Sequence, residues 1–180
     1  GAIALSHSVE RALSFQEYGS QPQISGVWSR PIKRHIGVNG WFEELMRLSP
    51  AGVVEGGQDD MQLRQLSLSY AEPGRINAFH IHPRVRQDEI WMVVTGVLVI
   101  WLIDCRKGST SEGLRQRVVL GGETPTQLFI PAGVAHGYKA GPAGALLLYA
   151  MNQQFDSNQP NEGRFPWDHF GTDLWAEDRG

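Results

Sequence analysis

The chain has 180 residues, of which 41% are hydrophobic and 19% are charged, and its formal net charge is −3. This length fits one domain, and the absence of a basic surplus excludes general nucleic-acid binding. The longest apolar stretch, 90–103, is interrupted by Thr95-Gly96 and is shorter than a membrane span. No basic segment leads into an apolar run near the first residue, so we expect a cytoplasmic protein without membrane contact.

The first part of the chain, 1–23, is polar with weak periodicity and predicts an extension with one short helix. We expect the folded domain to occupy 24–180, where short runs of strand-forming residues alternate with Gly, Pro, Asn and Ser. Thr95-Gly96 predicts a tight hairpin between two of these strands. The runs without intervening helices predict an all-β sandwich or barrel. The predicted strands lie at 40–42, 66–70, 75–82, 89–94, 97–104, 117–120, 126–130 and 145–151.

Three histidines and one glutamate form a candidate metal site. His80 and His82 are two residues apart in a predicted strand, so their side chains point to the same face. Glu89 opens the next strand, and His136 follows a turn at 131–133. Three imidazoles and one carboxylate suit Fe, Mn, Ni or Zn. The alternative is that these histidines only form hydrogen bonds with neighbours inside a barrel.

The spacing of these residues resembles the two motifs of the cupin superfamily, with a slightly long gap before the glutamate. The resemblance implies a cupin double-stranded β-helix, which is a jelly-roll barrel with a polar interior pocket. The matching residues are Gly74, His80, His82, Glu89 and Gly96 in the first motif, and Pro131, Gly133 and His136 in the second.

A narrower resemblance covers about 24–175. The segment 127–138, Q-L-F-I-P-A-G-V-A-H-G-Y, is similar to the signature of dTDP-4-dehydrorhamnose 3,5-epimerases, a cupin-fold family that acts on nucleotide-linked 4-keto sugars. The segments 104–113, 40–44 and 65–69 resemble further stretches of that family. The resemblance implies an isomerase for a nucleotide-linked 4-keto-6-deoxy sugar, which abstracts a proton beside the ketone and requires no cofactor.

The same resemblance assigns four catalytic residues. By position, His80 is the base, Asp168 orients and charges it, Tyr149 is the acid on the opposite face, and His136 is an oxyanion donor. For two of them a structural explanation stays open. Tyr149 is also compatible with a core tyrosine, and Asp168 with a surface acid.

The substrate-binding residues depart from the family pattern. The resemblance places Glu44 and Tyr138 at the substrate, but Asn77 stands where an arginine is expected to hold the substrate phosphate, and a second family arginine is missing from 37–40. Arg75 and Arg84 are candidate replacements, and Arg86 is a third. Glu89 replaces a family lysine and His82 a glutamine, and both changes are towards metal ligands. Since His80 cannot ligate a metal through the nitrogen that abstracts a proton, the two assignments conflict.

Two other functions remain open from the sequence. One is a metal-dependent cupin enzyme, either a dioxygenase or a metal-assisted isomerase, acting on a small substrate. The other is a non-catalytic cupin that binds a small molecule, because fold alone does not decide chemistry. The resemblance also implies a homodimer, since barrels of this family exchange N-terminal strands.

Overall fold

The structure is a computed structural model that describes residues 1–177 and 179. The predicted short helix of the N-terminal segment is present as α1, His7–Ala12, and residues 1–23 are all exposed. None of the helices in the described part of the chain is long and apolar enough to cross a membrane. The ordered packing begins at Ile24, which is 1% exposed and whose backbone N–H donates a hydrogen bond to the Gln116 side chain.

Ten strands form the framework of the described chain, and the all-β prediction is confirmed. Their bounds are β1 Trp28–Pro31, β2 Arg34–Ile36, β3 Trp41–Glu43, β4 Gln65–Ala71, β5 Ile76–Ile81, β6 Glu89–Asp104, β7 Arg115–Gly121, β8 Thr126–Ile130, β9 Val134–Met151 and β10 Gly163–Arg164. The strands β1, β8, β6, β9, β5 and β10 are neighbours in this order in one sheet, with β4 added on β9 and β7 on β6. The strands β2 and β3 form a separate pair, and one 3₁₀ turn spans Thr172–Trp175.

The long strands β6 and β9, of 16 and 18 residues, pair with each other along almost their whole length. The hairpin predicted at Thr95-Gly96 is therefore wrong. Both halves of β6 pair with the same strand, and Gly96 lies at a register shift with φ of 76°. A bulge of this kind bends a strand without reversing it, because the extra residue changes the direction of a ladder that then continues.

The barrel interior is apolar away from the cavity described below. Its main cluster combines residues of β6, β8 and β9, including Leu98, Ile100, Leu102, Leu128 and Leu147, each at most 4% exposed. Burial of such side chains stabilises the fold by about 1.5–3 kcal/mol each. The two long strands are therefore packed into this apolar cluster on each side of their bend.

The segment 104–113, which resembles a family motif, builds a turn. Asp104 is 1% exposed, and its carboxylate accepts hydrogen bonds from the Arg106 guanidinium and from the hydroxyls of Ser109 and Ser111. Burial opposes ionisation of Asp104, but these donors outweigh it and hold the pKa of the carboxyl well below its usual range. The role of this motif is structural.

Candidate active site

A cavity of about 600 Å³ opens at one end of the barrel interior. Its walls come from β4, β5, β6 and β9, and the loop after β9, 153–162, forms part of its rim. Trp91 and Leu147 line the cavity and also belong to the apolar cluster, so the floor is continuous with the core. Six of the predicted site residues line it together: His80, His82, Glu89, His136, Tyr138 and Tyr149.

Strand alternation explains how these side chains reach one cavity. Along β5, Phe79 and Ile81 point into an apolar cluster, and the histidines at the alternate positions therefore face the other way. His80 lies opposite His136 in the pairing of β5 with β9. The prediction that His80 and His82 point to the same face is therefore correct, because side chains alternate between the two faces of a strand.

His82, Glu89 and His136 form a buried cluster in which one ligand atom from each lies within 4.8 Å of the others. The Nε2 atom of His82 is 2.6 Å from Oε2 of Glu89, and Nε2 of His136 is 4.0 Å from the same oxygen. Trp91 and Gln87 each donate a hydrogen bond to the Glu89 carboxylate. Burial opposes ionisation of Glu89, but the two histidines and the hydrogen bond from Trp91 outweigh it and lower the pKa of Glu89 to about 2.

The two cluster histidines differ in their pKa. Burial lowers the pKa of His136 to about 4, and the nearby Glu89 only partly offsets this, so the ring is neutral at neutral pH. Burial acts in the same direction on His82, but the Glu89 carboxylate outweighs it and raises the pKa of His82. Nδ1 of His136 lies 3.3 Å from the carbonyl of Val134 and holds the ring proton there. This tautomer does not suit the predicted role of His136 as an oxyanion donor.

His80 lies outside this cluster, so the predicted four-residue metal shell is wrong in including it. Its Nε2 is 2.9 Å from Oδ1 of Asn77, and its Nδ1 is 3.5 Å from Oε2 of Glu162. Because the Asn77 oxygen only accepts, Nε2 carries the proton and Nδ1 is the basic nitrogen. Burial lowers the pKa of His80, although Glu162 opposes this.

The predicted contact between Asp168 and His80 is also wrong. Asp168 is exposed, and it forms no ion pair with His80 in the described structure. Its backbone carbonyl accepts a turn hydrogen bond from Gly171, which keeps it on the outer segment before the 3₁₀ turn. The carboxylate next to His80 is that of Glu162 and not that of Asp168. Glu162 follows a polar loop without a recognisable motif, and nothing in the sequence could have indicated it.

Two tyrosines complete the polar wall. The hydroxyl of Tyr138 accepts a hydrogen bond of 3.3 Å from the Asn77 amide, which leaves its own proton free to be donated into the cavity. Tyr149 lies opposite Ser67 in the pairing of β9 with β4. Burial raises the pKa of Tyr149, and Ser67 opposes the shift. The Tyr149 hydroxyl is therefore protonated at neutral pH.

The other predicted substrate contacts are not at the cavity. Glu44 is exposed and forms an ion pair with Arg47, with a shortest distance of 2.6 Å. Arg75 and Arg84 are exposed and do not line the cavity, and Arg84 donates to the carbonyl of Pro160. Among the described residues the lining contains no arginine and no lysine. Amides are abundant instead, as in Gln65, Asn77, Gln87, Gln153, Gln154, Gln159 and Asn161.

Comparison with known proteins places this chain in a family. The sequence model of the dTDP-4-dehydrorhamnose 3,5-epimerases matches residues 21–173. The chain belongs to the dTDP-4-dehydrorhamnose 3,5-epimerase family. A relative with 35% identity over 150 residues is the spore coat polysaccharide biosynthesis protein SpsL of Bacillus subtilis, and the match covers 81% of this chain and 91% of that protein. The probable low-salt glycan biosynthesis epimerase Agl13 of Haloferax volcanii is 28% identical over 148 residues, covering 82% and 90% of the two chains.

Solved structures agree with this family at the level of the fold. The dTDP sugar isomerase of Desulfovibrio desulfuricans has a TM-score of 0.72 at 22% identity, covering 84% of this chain and 92% of that one. An epimerase of Legionella pneumophila, solved with dTDP-4-keto-L-rhamnose, has a TM-score of 0.73 at 23% identity, covering 88% and 80%. The predicted cupin jelly-roll fold is confirmed, and epimerases of this family need no cofactor.

Proposed function

We propose that this epimerase-family enzyme isomerises a nucleotide-linked 4-keto-6-deoxy sugar, with His80 as the base. The observation that carries the proposal is the pairing of His80 with Asn77 and Glu162 inside a cavity that Tyr149 also lines. A base needs a fixed tautomer and a group that stabilises its charged form, and these two neighbours supply both. A location in the cytoplasm, as expected from the sequence, is part of this proposal.

The proposed reaction consists of two proton transfers, one from the substrate to His80 and one from Tyr149 to the substrate. Nδ1 of His80 takes the proton from the carbon beside the ketone, the C–H electron pair forms the enolate double bond, and the carbonyl electrons move to oxygen. The Glu162 carboxylate, 3.5 Å from that nitrogen, stabilises the resulting imidazolium. Tyr149 then gives its hydroxyl proton to the carbon from the other face, and the free proton of Tyr138 is available to the enolate oxygen.

The experiment that tests this function is solvent exchange at the carbon beside the ketone. The purified protein is incubated in deuterated water with a dTDP-linked 4-keto-6-deoxy sugar, and the product is followed by NMR. We expect deuterium next to the ketone, together with inversion at that carbon. Binding of the sugar nucleotide without exchange would contradict the proposal and favour a non-catalytic binding protein.

The affinity for the nucleotide is expected to be weak. Because no lysine or arginine lines the described cavity, the charge-assisted contacts of about 1.5–3 kcal/mol each that hold a diphosphate are missing. We expect calorimetry with dTDP alone to give a dissociation constant in the high micromolar range or weaker, roughly as two lost contacts require. A low-micromolar constant would contradict this and would implicate an arginine at the rim, with Arg84→Gln as the first variant to measure.

The names of two relatives indicate a use for the product. SpsL is named for spore coat polysaccharide biosynthesis, and Agl13 for low-salt glycan biosynthesis. We propose that the sugar made here is likewise a building block for a glycan. The amide-rich wall of the cavity is suited to this substrate class, because amides donate to and accept from sugar hydroxyls.

We also propose that the protein is a homodimer that pairs through the outer face of β4. The alternation on this strand is reversed: Leu66, Leu68 and Tyr70 are 54%, 62% and 56% exposed, while the serines between them point inwards. In the described residues, β4 pairs only with β9, so its other edge is available. A second copy would cover both the edge and the apolar face.

Sedimentation velocity tests the dimer. We expect the wild-type protein to sediment as a dimer and Leu68→Lys to sediment as a monomer, because a buried lysine without a partner opposes association. Val119→Lys, a change on the outer face of β7 at a residue 51% exposed, is the control and is expected to remain dimeric. A monomeric wild-type protein, or a dimeric Leu68→Lys variant, would contradict the interface.

A further inference from the structure

We propose that His82, Glu89 and His136 bind one divalent transition-metal ion. The three residues are 6%, 4% and 5% exposed, and they present two imidazole nitrogens and a carboxylate oxygen within 4.8 Å of one another. Two histidines and one carboxylate are a donor set that Fe(II) and Zn(II) accept with positions left open for further ligands.

The hydrogen bonds of the two rings point to a cation between them. Nδ1 of His82 is 2.7 Å from the carbonyl of Asn161, and Nδ1 of His136 is 3.3 Å from the carbonyl of Val134. A carbonyl oxygen only accepts, so each Nδ1 carries a proton, and Nε2 of each ring is the nitrogen turned towards Glu89, where it offers a lone pair whenever the ring is neutral. Metal-binding histidines characteristically donate the other ring nitrogen to a carbonyl or carboxylate in this way.

The Nε2 atom of His82 gives the most direct evidence for a bound cation. This atom is buried and has no hydrogen-bond partner of acceptable geometry, although Oε2 of Glu89 is only 2.6 Å away. The two atoms lie close together but are not aligned along a hydrogen bond. Buried polar atoms are normally partnered, so a positive charge is expected between this nitrogen and the Glu89 carboxylate, either a metal ion or a proton on the ring, and a ring proton would be expected to align along a hydrogen bond.

The charges around the cluster also favour a cation. The other acidic side chains that line the cavity are Asp156 and Glu162, and no lysine or arginine is among the described lining residues. The Glu89 carboxylate is held in place by Trp91 at 3.0 Å and by Gln87 at 3.2 Å. An ion here would supply the only positive charge of the described cavity wall, apart from protonated histidine.

The proposed ion does not compete with the base. His80 is engaged by Asn77 and Glu162 and is outside the three-residue cluster, so the conflict between a histidine base and a histidine ligand does not arise. All three residues line the cavity, so an ion held by them would supply a Lewis acid in the proposed substrate site. This last role rests on the proposed function, whereas binding of the ion rests on the cluster alone.

The test is uptake of Co(II) by the purified protein, stripped of metal with a chelator and dialysed. We expect one equivalent of Co(II) to bind, with visible d–d bands and a rise in Tm, and Zn(II) to displace it. Glu89→Gln is expected to weaken binding by at least about 10- to 100-fold. His35→Asn, a change at an exposed histidine on β2, is the matched control and is expected to bind like wild type.

His80→Asn separates the metal site from the catalytic proposal. It is expected to keep the Co(II) spectrum and affinity of the wild-type protein, and loss of binding would overturn the three-residue assignment. Because Glu89→Gln alters a buried residue, circular dichroism checks its fold, and His136→Asn is the second variant. A folded wild-type protein that binds no Co(II) would overturn the site, and the cluster would then be a buried histidinium–carboxylate pair. Metal uptake is measured without substrate, so a failure of sugar exchange would leave this result unchanged.

Discussion

His80→Asn is expected to lower the rate of deuterium incorporation beside the sugar ketone by about 10²–10⁴-fold, which is the usual effect of losing a general base. Asparagine keeps much of the polarity and size of the ring but cannot take up a proton at neutral pH. Substrate affinity is expected to change little, because the remaining polar residues of the cavity are intact. Rates of exchange at saturating sugar nucleotide, followed by NMR, provide the measurement.

Two carboxylates provide the matched comparison for this result. Glu162→Gln removes the charge 3.5 Å from Nδ1 of His80 and is expected to give a partial loss of exchange. Asp168→Asn changes an exposed residue without an ion pair to His80 and is expected to behave like wild type. The reverse outcome, with Asp168 important and Glu162 neutral, would show that the carboxylate partner has been assigned wrongly.

Gly96→Ala is expected to destabilise the fold by about 2–5 kcal/mol, the sum of a backbone cost and a collision. The backbone of Gly96 has φ of 76°, which costs a residue with a Cβ about 1–2 kcal/mol. The added Cβ would also collide with the backbone of Gly144 on β9, and overpacking against backbone costs about 1–3 kcal/mol more. Urea denaturation followed by circular dichroism measures the change in the free energy of unfolding.

Gly108→Ala is the control for the collision. Gly108 has φ of 78°, but no heavy atom lies within 4 Å of the position that the alanine Cβ would take, so only the backbone cost of about 1–2 kcal/mol applies. The difference between the two variants isolates the close approach of β6 and β9. Equal losses would mean that β9 moves aside at low cost and that the bend of the two strands is not tightly packed.

The faces of side chains could be predicted from the sequence wherever the strand itself was predicted, because they follow from a two-residue period. The strands β1, β2 and β10 and residues 134–144 of β9 lie outside the predicted strands. His80, His82 and Tyr149 lie in predicted strands, and all three line the cavity as expected. The bulge at Thr95-Gly96 could not be distinguished from a hairpin turn in the sequence, since a glycine with positive φ is compatible with both. Only the pairing of both halves of β6 with β9 distinguishes them.

The polar partners of the site were harder to predict than its strand residues. Glu162 and Asn161 belong to the irregular loop after β9, where no periodicity indicates which side chain turns inwards. Asp168 was assigned by its position in a family pattern, and that pattern carries no information about the local path of the chain. Likewise, the four metal-type residues belong to the two cupin-like motifs, but His80 is hydrogen-bonded to Asn77 and lies apart from the other three.

The division of the site between strands and loop affects how its specificity can diverge. The proposed base, acid and metal ligands lie on or beside strands anchored in the apolar cluster, whereas Glu162 and the amides of 153–161 lie on the rim loop. Substitutions or insertions in this loop would change which sugar is accepted without disturbing the ladders of the barrel. With Glu162 kept in place beside His80, the rest of the loop is thus the natural target for engineering enzymes that act on other sugars, with the reaction chemistry retained.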